Sequence, residues 1–405
     1  MNRLLKKENL FLRVALGFGL GVVLGLAAPK VSLSTRVVGE VYLNLIRLMV
    51  LPVALTAVFC GITNIQSGAL LKKLGLRTVA LYVLMFLLSA GVSLLVAALL
   101  RPGRGLVLAA LPVYEGEVAE PTVGSFLINL VPTNLFDAAA RGNLLALILF
   151  AMALAVATVA AGEPARPLIT AMNALSAALT KLLGYVMELS PLGVLSLMAA
   201  ALAQYGAGIF GALARYILCC YTCCLMVFVL VMVLPAWLYA KAPLKTLLTA
   251  CGKIALVTLS TTSSAATLPT TLQVSLEDLQ APAGVSRFTL PLGCTINMCG
   301  GACSFCCLAL FVADFYGVTL PLGTWVMLVL TATLMNMAAP GIPGGGVVLG
   351  ASFLSLAGLP LNLMGPIGGI YRLLDMAFTT INVEGDVTAN LILSRSLGQY
   401  PPAKE

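Results

Sequence analysis

The stretch Ser260-Thr261-Thr262-Ser263-Ser264-Ala265-Ala266-Thr267-Leu268-Pro269 interrupts an apolar segment that covers residues 244–280. Neither apolar half is long enough to cross a bilayer alone, because a spanning helix needs about 20 apolar residues. A small, polar tip between two short apolar halves is typical of a re-entrant hairpin, whose irregular backbone lines a cavity or is buried in protein. The pattern therefore predicts a first re-entrant hairpin here.

A second unit with the same pattern covers residues 320–365, and its tip is Pro340-Gly341-Ile342-Pro343-Gly344-Gly345-Gly346. Each hairpin is followed by one longer apolar segment, at 285–316 and at 366–394. Two units of hairpin plus helix in corresponding positions indicate an internal inverted repeat. Paired, interrupted apolar segments of this kind point to the binding site of a membrane transporter.

The overall composition agrees with a membrane protein. Of the 405 residues, 60% are hydrophobic and 9% are charged, and the mean hydropathy is +1.05. Soluble domains are nearer 45–50% apolar and about 25% charged, so a soluble enzyme, a disordered chain and a disulfide-stapled secreted domain are excluded. The apolar runs are continuous and not alternating, which argues against a β-barrel. The chain also has no His, no nucleophile elbow and no phosphate-binding loop with Lys, so no enzyme is predicted.

Six apolar runs precede the first hairpin, at about 11–28, 40–63, 77–100, 143–161, 167–200 and 210–240. With the two later segments they predict an all-α polytopic membrane protein of eight transmembrane helices and two re-entrant hairpins. The net charge of +8 comes mainly from basic residues between these runs, so it indicates cytoplasmic loops and not a nucleic-acid partner. We therefore expect a multi-pass protein of the cell (plasma or inner) membrane with its N-terminus in the cytoplasm.

The last apolar segment carries Asp375, Thr379, Asn382 and Asp386 at spacings of four, three and four. At about 100° per residue these side chains lie on one narrow stripe of a helix. Such a stripe would cost several kcal/mol if it faced lipid, so it must face a polar cavity. The pattern favours a cation and substrate site, because hard cations bind carboxylate and carbonyl oxygens; a structural polar seam against a neighbouring helix is the alternative.

The preceding segment contains Gly293-Cys294-Thr295-Ile296-Asn297-Met298-Cys299-Gly300-Gly301. Two adjacent glycines and an Asn favour a local break in the helix, and a break frees carbonyl groups that can coordinate a monovalent cation. A tight helix crossing lined with small residues is the alternative. The polar tip at Ser263 and Ser264 adds hydroxyl and N–H groups that can bind a carboxylate, and the glycine-rich second tip can move as a gate.

Cysteines form two clusters in apolar segments. The members are Cys219, Cys220, Cys223 and Cys224 in the first, and Cys299, Cys303, Cys306 and Cys307 in the second. Without any His and without polar neighbours, packing of small apolar side chains is the favoured interpretation, and a metal site is the alternative.

These features together resemble the dicarboxylate/amino acid:cation symporter family, which has the glutamate-transporter fold. The matching stretches are Ser263–Pro269, Phe288–Met298, Gly341–Gly344, Leu374–Met376 and Asn382–Asp386. The resemblance implies a bowl-shaped homotrimer whose moving part slides like an elevator. It assigns residues 1–240 mainly to the trimerisation scaffold (with helices 1, 3 and 6 partly in the transport domain), 241–398 to the transport core and 399–405 to a C-terminal tail.

The resemblance also implies roles for individual residues. Asp375 would bind the amino group of a small-molecule amino acid. The other substrate contacts would be Ser263, Ser264, Thr379, Asn382 and the backbone of Ile342 and Gly346. One Na⁺ site would use Asp386, Asn382 and the carbonyls of Gly293 and Asn297. A second Na⁺ site would use the carbonyls of Thr295, Met298, Asn336, Met337 and Ala339.

One departure from the family pattern concerns the substrate. Members that carry acidic substrates have an Arg where this chain has Phe378, so an acidic side chain bound there would be unpaired and desolvated. We therefore expect a neutral amino acid. Arg372 stands one turn before Asp375. In the favoured interpretation it would pair with Asp375 or have a structural role. The alternatives are that its side chain extends outward to the membrane surface, or that it replaces the missing Arg and binds an acidic substrate.

A second departure concerns the coupling ion. The family's third Na⁺ site has an Asp where this chain has Cys299 and a Thr where it has Gly301, and its hydroxyl ligands align with Met85 and Phe86. Only Tyr82 and Asn297 remain, so we expect two Na⁺ sites and no third. The proton-carrying Glu of animal members is matched by Phe305. A proton-driven member, and a sensor or channel on the same scaffold, stay as alternatives.

Overall fold

The computed structural model of the chain describes residues 10–63, 69–104, 128, 131–140, 144–337 and 345–400. All regular secondary structure in these ranges is helical, as the sequence predicts. In chain order the helices are α1 (Leu10–Ala27), α2 (Pro29–Thr63), α3 (Ala69–Leu100), α4 (Leu135–Ala140), α5 (Leu144–Ala161), α6 (Arg166–Glu188), α7 (Ser190–Tyr205), α8 (Gly208–Val227), α9 (Leu234–Leu238), α10 (Leu244–Thr261), α11 (Ser264–Gln273), α12 (Ala283–Ile296), α13 (Cys299–Tyr316), α14 (Leu322–Met337), α15 (Gly345–Leu356) and α16 (Met364–Ser396). A wide-turn segment, Phe228–Val233, joins α8 to α9, and Val274–Asp278 continues α11.

The N-terminal helices pack closely on α7. Gly17 and Gly21 lie one turn apart on α1, and a Cβ at either position would overlap the backbone carbonyl of Pro191 or of Leu195 on α7. Small residues at such spacing let helix backbones approach in a bilayer, where packing contacts are a main source of association. The close contact between α1 and α7 therefore depends on the missing side chains.

The two longer C-terminal segments lie at the centre of the fold. In the span Ala283–Tyr316, 89% of the residues in the most apolar 18-residue stretch are buried. The last helix, α16, packs against α7, α8, α10, α12 and α13. Helices α3 and α8, from the first 240 residues, also pack against α13. The core that holds the candidate site is thus formed by helices from both parts of the chain.

The first predicted hairpin consists of α10 and α11, which pack against each other. Its tip is only Thr262, with left-handed backbone (φ 48°, ψ 41°), and Ser263, with extended backbone. The prediction that neither half of the hairpin is long enough to cross a bilayer does not hold for α10. Helix α10 has 18 residues, or about 27 Å at 1.5 Å per residue, so it is long enough to approach a crossing, whereas α11 has 10 residues and is not.

The second predicted hairpin corresponds to α14 and α15, which are also in contact. Most of its glycine-rich tip, residues 338–344, lies outside the described residues.

Six helical spans in the described ranges are long and apolar enough to cross a bilayer: Pro29–Thr63, Leu74–Leu100, Glu163–Glu188, Gly208–Leu238, Leu244–Thr261 and Ala283–Tyr316. The predicted run 40–63 is part of a longer helix that begins at Pro29, a residue suited to the first helical position. The predicted run 167–200 is divided at Leu189, two residues before Pro191. The final helix, α16, is absent from this set, because its polar stripe lowers its hydropathy.

Candidate functional site

The site is built around the predicted break in the segment 285–316. Helix α12 ends at Ile296 and α13 begins at Cys299, and between them Asn297 and Met298 leave the helical conformation (φ −82°, ψ 104° and φ −121°, ψ 51°). The Asn297 amide still donates to the Gly293 carbonyl at 2.7 Å. The break is confirmed, and it faces α16.

Asn297 connects the broken segment to the polar stripe of α16. Its side-chain amide donates to Asp386 Oδ1 at 2.9 Å and to the backbone carbonyl of Asn382 at 3.0 Å. Asn382 in turn accepts from the Gly300 N–H at 2.7 Å. Asp386 and Asn297 are 2% and 1% exposed. A buried carboxylate is costly unless it is paired or binds a cation, and here its described partner is one neutral amide.

Two glycines make this approach possible. A Cβ at Gly293 would overlap Asp386 Oδ1 and the Tyr82 hydroxyl, and a Cβ at Gly300 would overlap the backbone carbonyl of Phe378. The conformational freedom of glycine is secondary at these positions. What matters is that any side chain would push α16 away from the break.

A cavity lies beside this network, and the space between its lining atoms is about 500 Å³ when the part open to solvent is included. It is lined by Thr262, Ser264, Met298, Gly301, Phe305, Asn336, Gly346, Leu349, Tyr371, Asp375, Phe378, Thr379 and Asn382. The lining combines one carboxylate, several hydroxyl and amide groups, and apolar side chains. This composition suits a small zwitterion that has both charged and apolar parts.

Most of the residues predicted to contact substrate line this cavity: Ser264, Gly346, Asp375, Phe378, Thr379 and Asn382. Ser263 precedes Ser264 in the chain, and its hydroxyl caps α11 by accepting from the Ala266 N–H at 3.2 Å. Ile342 lies outside the described residues.

The predicted cation ligands fall into two groups. Gly293, Asn297, Asn382 and Asp386 meet at the break, as described above. Of the second set, Met298 and Asn336 line the cavity, whereas Thr295 is exposed and Met337 is half-buried. Ala339 lies outside the described residues. The structure therefore brings the residues of the first set together, with the Gly293 carbonyl and Asn382 Oδ1 each accepting a backbone hydrogen bond, and it describes the second set only in part.

Tyr371 and Thr262 line the cavity and were not predicted. Tyr371 stands four residues before Asp375, so the spacing of the stripe could have identified it. The Tyr371 hydroxyl lies where a Cβ at Gly346 would be. Thr262 faces the cavity because of its left-handed backbone, for which the sequence has no clear signal.

Arg372 does not line the cavity. Its Nη2 lies 3.5 Å from the Thr261 carbonyl at the end of α10, and its Nε has no hydrogen-bond partner among the described residues. The guanidinium is thus placed near the tip of the first hairpin.

The positions of the family's third cation site are apolar or otherwise engaged. Met85 and Phe86 are 2% and 0% exposed. The Tyr82 hydroxyl donates to the Thr289 carbonyl at 3.2 Å, and the Cys299 thiol donates to Asn297 Oδ1 at 2.9 Å. A hard cation at this place would meet few available oxygens.

The chain is similar to known membrane transporters over nearly its whole length. The family model described as the sodium:dicarboxylate symporter family matches residues 10–396. The chain is 27% identical to a proton/sodium-glutamate symport protein of Bacillus subtilis (strain 168), over 98% of this chain and 95% of that protein. It is 28% identical to a proton/glutamate-aspartate symporter of the same organism, over 96% and 95%. It is 29% identical to a C4-dicarboxylate transport protein of Rhizobium johnstonii, over 96% and 88%. The chain therefore belongs to the sodium:dicarboxylate symporter family, a family of cation-coupled membrane transporters.

Proposed function

We propose that the protein couples inward movement of Na⁺ to uptake of a neutral amino acid. The observation that carries the proposal is the buried Asp386 carboxylate at the helix break, next to a cavity that contains a second carboxylate, Asp375. We assign the Asp386 carboxylate to the cation and the Asp375 carboxylate to the ammonium group of the substrate. Binding both ligands in one network gives a physical basis for coupling, because Asn382 belongs to both proposed sites and each ligand would fix the side chain that the other contacts.

The oxygen ligands at the helix break support Na⁺ as the coupling cation, with fewer than three ions bound per substrate. Asp386, Asn382 and the backbone around Gly293 and Asn297 supply the carboxylate, amide and carbonyl oxygens that a hard cation needs. Met85 and Phe86, which align with ligands of the family's third Na⁺ site, have apolar side chains. We therefore propose two Na⁺ per substrate. The relatives' names include both sodium and proton, so proton coupling is the competing scheme.

For the substrate, Asp375 would bind the amino group, and the first hairpin tip would bind the carboxylate through Ser264 and N–H groups at the start of α11. Phe378 lines the cavity and is 3% exposed, and we assign its ring to contact with the substrate side chain. An unpaired acidic side chain against this ring would lose several kcal/mol of solvation, which supports a neutral substrate.

An acidic amino acid or a dicarboxylate is the second candidate. Two observations favour it: the relatives named above carry glutamate, aspartate or C4-dicarboxylates, and the Arg372 guanidinium lies 3.5 Å from the Thr261 carbonyl at the hairpin tip. A rotation of this side chain into the cavity would supply the charge that Phe378 lacks.

We propose the glutamate-transporter architecture for the whole assembly: eight transmembrane helices with two re-entrant hairpins, inverted repeats and a homotrimer in the plasma or inner membrane, with the N-terminus in the cytoplasm. The core of residues 241–398 would slide as an elevator against a scaffold from 1–240, with 399–405 as a tail. Packing of α3 and α8 on α13 supports their partial assignment to the moving part.

The experiment is uptake into proteoliposomes of the purified protein under an inward Na⁺ gradient, with a panel of neutral and acidic radiolabelled amino acids. We expect Na⁺-dependent, saturable uptake and counterflow of a neutral amino acid. Binding without counterflow would indicate a sensor, and non-saturable flux would indicate a channel.

The substitution Phe378→Arg tests the substrate assignment, and Phe378→Leu is its apolar control. We expect Phe378→Arg to raise the ratio of acidic to neutral uptake at least tenfold and Phe378→Leu to leave this ratio unchanged. If the wild type carries only acidic substrates, and Arg372→Ala abolishes that uptake, the second candidate is correct.

A further inference from the structure

The cysteine clusters of the sequence meet in one place, away from the transport site. Cys219 and Cys223 lie one turn apart on the same face of α8, and Cys307 lies opposite them on α13. The sulfur atoms of these three residues all lie within 4.8 Å of one another. Their side chains are 1%, 0% and 0% exposed. We propose that these three thiols form a binding site for a soft, monovalent d¹⁰ metal ion of the copper(I) type.

The distances suit such an ion. A metal held at about 2.3 Å from each of three sulfurs in a plane requires sulfur–sulfur separations of about 4 Å, so the observed arrangement has to contract by less than 1 Å. Thiolate ligands select soft ions such as copper(I). Structural zinc sites are four-coordinate. Cys303 also contacts Cys223 and Cys307, but among the described residues Cys219, Cys223 and Cys307 are the group whose sulfur atoms all lie within 4.8 Å of one another. A low-coordinate monovalent ion therefore fits this group better than zinc.

Neighbouring side chains and backbone groups hold the three thiols close together and shield them from solvent. One turn from the thiols, Tyr216 of α8 stacks on Phe311 of α13 with ring centroids 4.6 Å apart. The Cys223 thiol donates to the Ser93 carbonyl of α3 at 3.5 Å, so a third helix fixes its position. Three helices hold the ligands, and preorganised ligands lose little entropy when a metal binds.

Binding has a defined proton balance. If two of the thiols lose their protons and the third stays neutral, the ion forms two metal–thiolate bonds and one weaker bond to a thiol, and two protons pass to the buffer. The occupied site then carries one net negative charge. Three thiolates would leave two negative charges in an apolar interior, which costs more.

The test uses silver(I), which has the same charge and ligand preference and no redox chemistry under these conditions. The full-length protein in detergent is incubated with silver(I) and passed through a desalting column with excess free methionine as competitor. Bound metal is then measured per chain. We expect about one ion per chain in the wild type and at least a tenfold loss in Cys223→Ser. Cys306→Ser, a fully buried thiol on α13 outside the triad, is the matched control and should retain the ion.

Several results would overturn the proposal: no retention in the wild type, equal retention in Cys223→Ser, or displacement of silver(I) by an equimolar amount of zinc. If Cys223→Ser does not fold, X-ray absorption of the loaded wild type gives an independent measure. Two or three sulfur neighbours around the silver(I) ion would support the site, and oxygen or nitrogen neighbours would contradict it. Cys307→Ala, which removes one ligand, should also lose the ion at least tenfold.

Discussion

The contact between the helix break and α16 can be tested with a single methyl group at Gly300. A Cβ at this position would overlap the backbone carbonyl of Phe378, and backbone cannot move aside as a flexible side chain can. Gly300→Ala must therefore separate α13 from α16 or distort one of them. The same shift lengthens the 2.7 Å hydrogen bond from the Gly300 N–H to Asn382 Oδ1.

The expected cost follows from these two contacts. Overpacking of a well-filled interior costs about 1–3 kcal/mol, and loss of one neutral hydrogen bond costs about 0.5–1.5 kcal/mol. Together these contacts cost about 1.5–4.5 kcal/mol. The preference of a helix for alanine over glycine returns about 0.5–1 kcal/mol, so Gly300→Ala should still lower the free energy of unfolding. Because Asn382 belongs to both proposed ligand sites, Na⁺-dependent uptake should fall as well.

The measurement is reversible denaturation in mixed micelles, together with uptake into proteoliposomes. Gly91→Ala is the matched control, since Gly91 lies inside α3 and a Cβ there would meet no atom within 4 Å. Alanine is favoured over glycine within a helix by about 0.5–1 kcal/mol, so this variant should be as stable as the wild type or more stable. If Gly300→Ala matches Gly91→Ala in stability and transports normally, the close approach of α13 to α16 is wrong.

Three further predictions concern other contacts. Asp386→Asn keeps the shape of the side chain but removes its charge, so the Na⁺ concentration for half-maximal uptake should rise at least 100-fold; an unchanged Na⁺ dependence in proteoliposomes would place the cation elsewhere. Ser263→Ala removes the cap of α11, which costs about 1 kcal/mol, and substrate affinity measured by thermal shift should fall about fivefold, whereas Ser263→Gly should lose less. Gly21→Ala should destabilise the packing of α1 on α7 by about 1–3 kcal/mol, while Gly19→Ala, at a position where a Cβ would meet no atom within 4 Å, should not be destabilising in the same denaturation assay.

Local features of the site were predictable because they depend on short stretches of chain. The spacing of Asp375, Thr379, Asn382 and Asp386 follows from helix geometry alone. The break at Asn297 follows from adjacent glycines and an amide within an apolar span. Three of the four stripe residues line the cavity, and the fourth accepts the Asn297 amide.

Other features were not predictable, since they depend on which helix faces which. Asn297 meets Asp386 across 89 positions of the chain. The Ser263 hydroxyl caps α11, a role that the sequence does not specify, and the neighbouring Ser264 lines the cavity. The position of Arg372 outside the cavity depends on side-chain packing, which helical periodicity does not specify.

Hydropathy and periodicity alone determined that this chain is a helical membrane protein with two interrupted units and one polar stripe, because both properties are set by neighbouring residues in a lipid environment. Only the tertiary structure decided which groups meet: the carboxylate with the broken helix, Tyr371 with the cavity, and the thiols of α8 with that of α13. The reason is that such contacts depend on the distance and rotation between helices, which a few glycines control by the absence of a side chain.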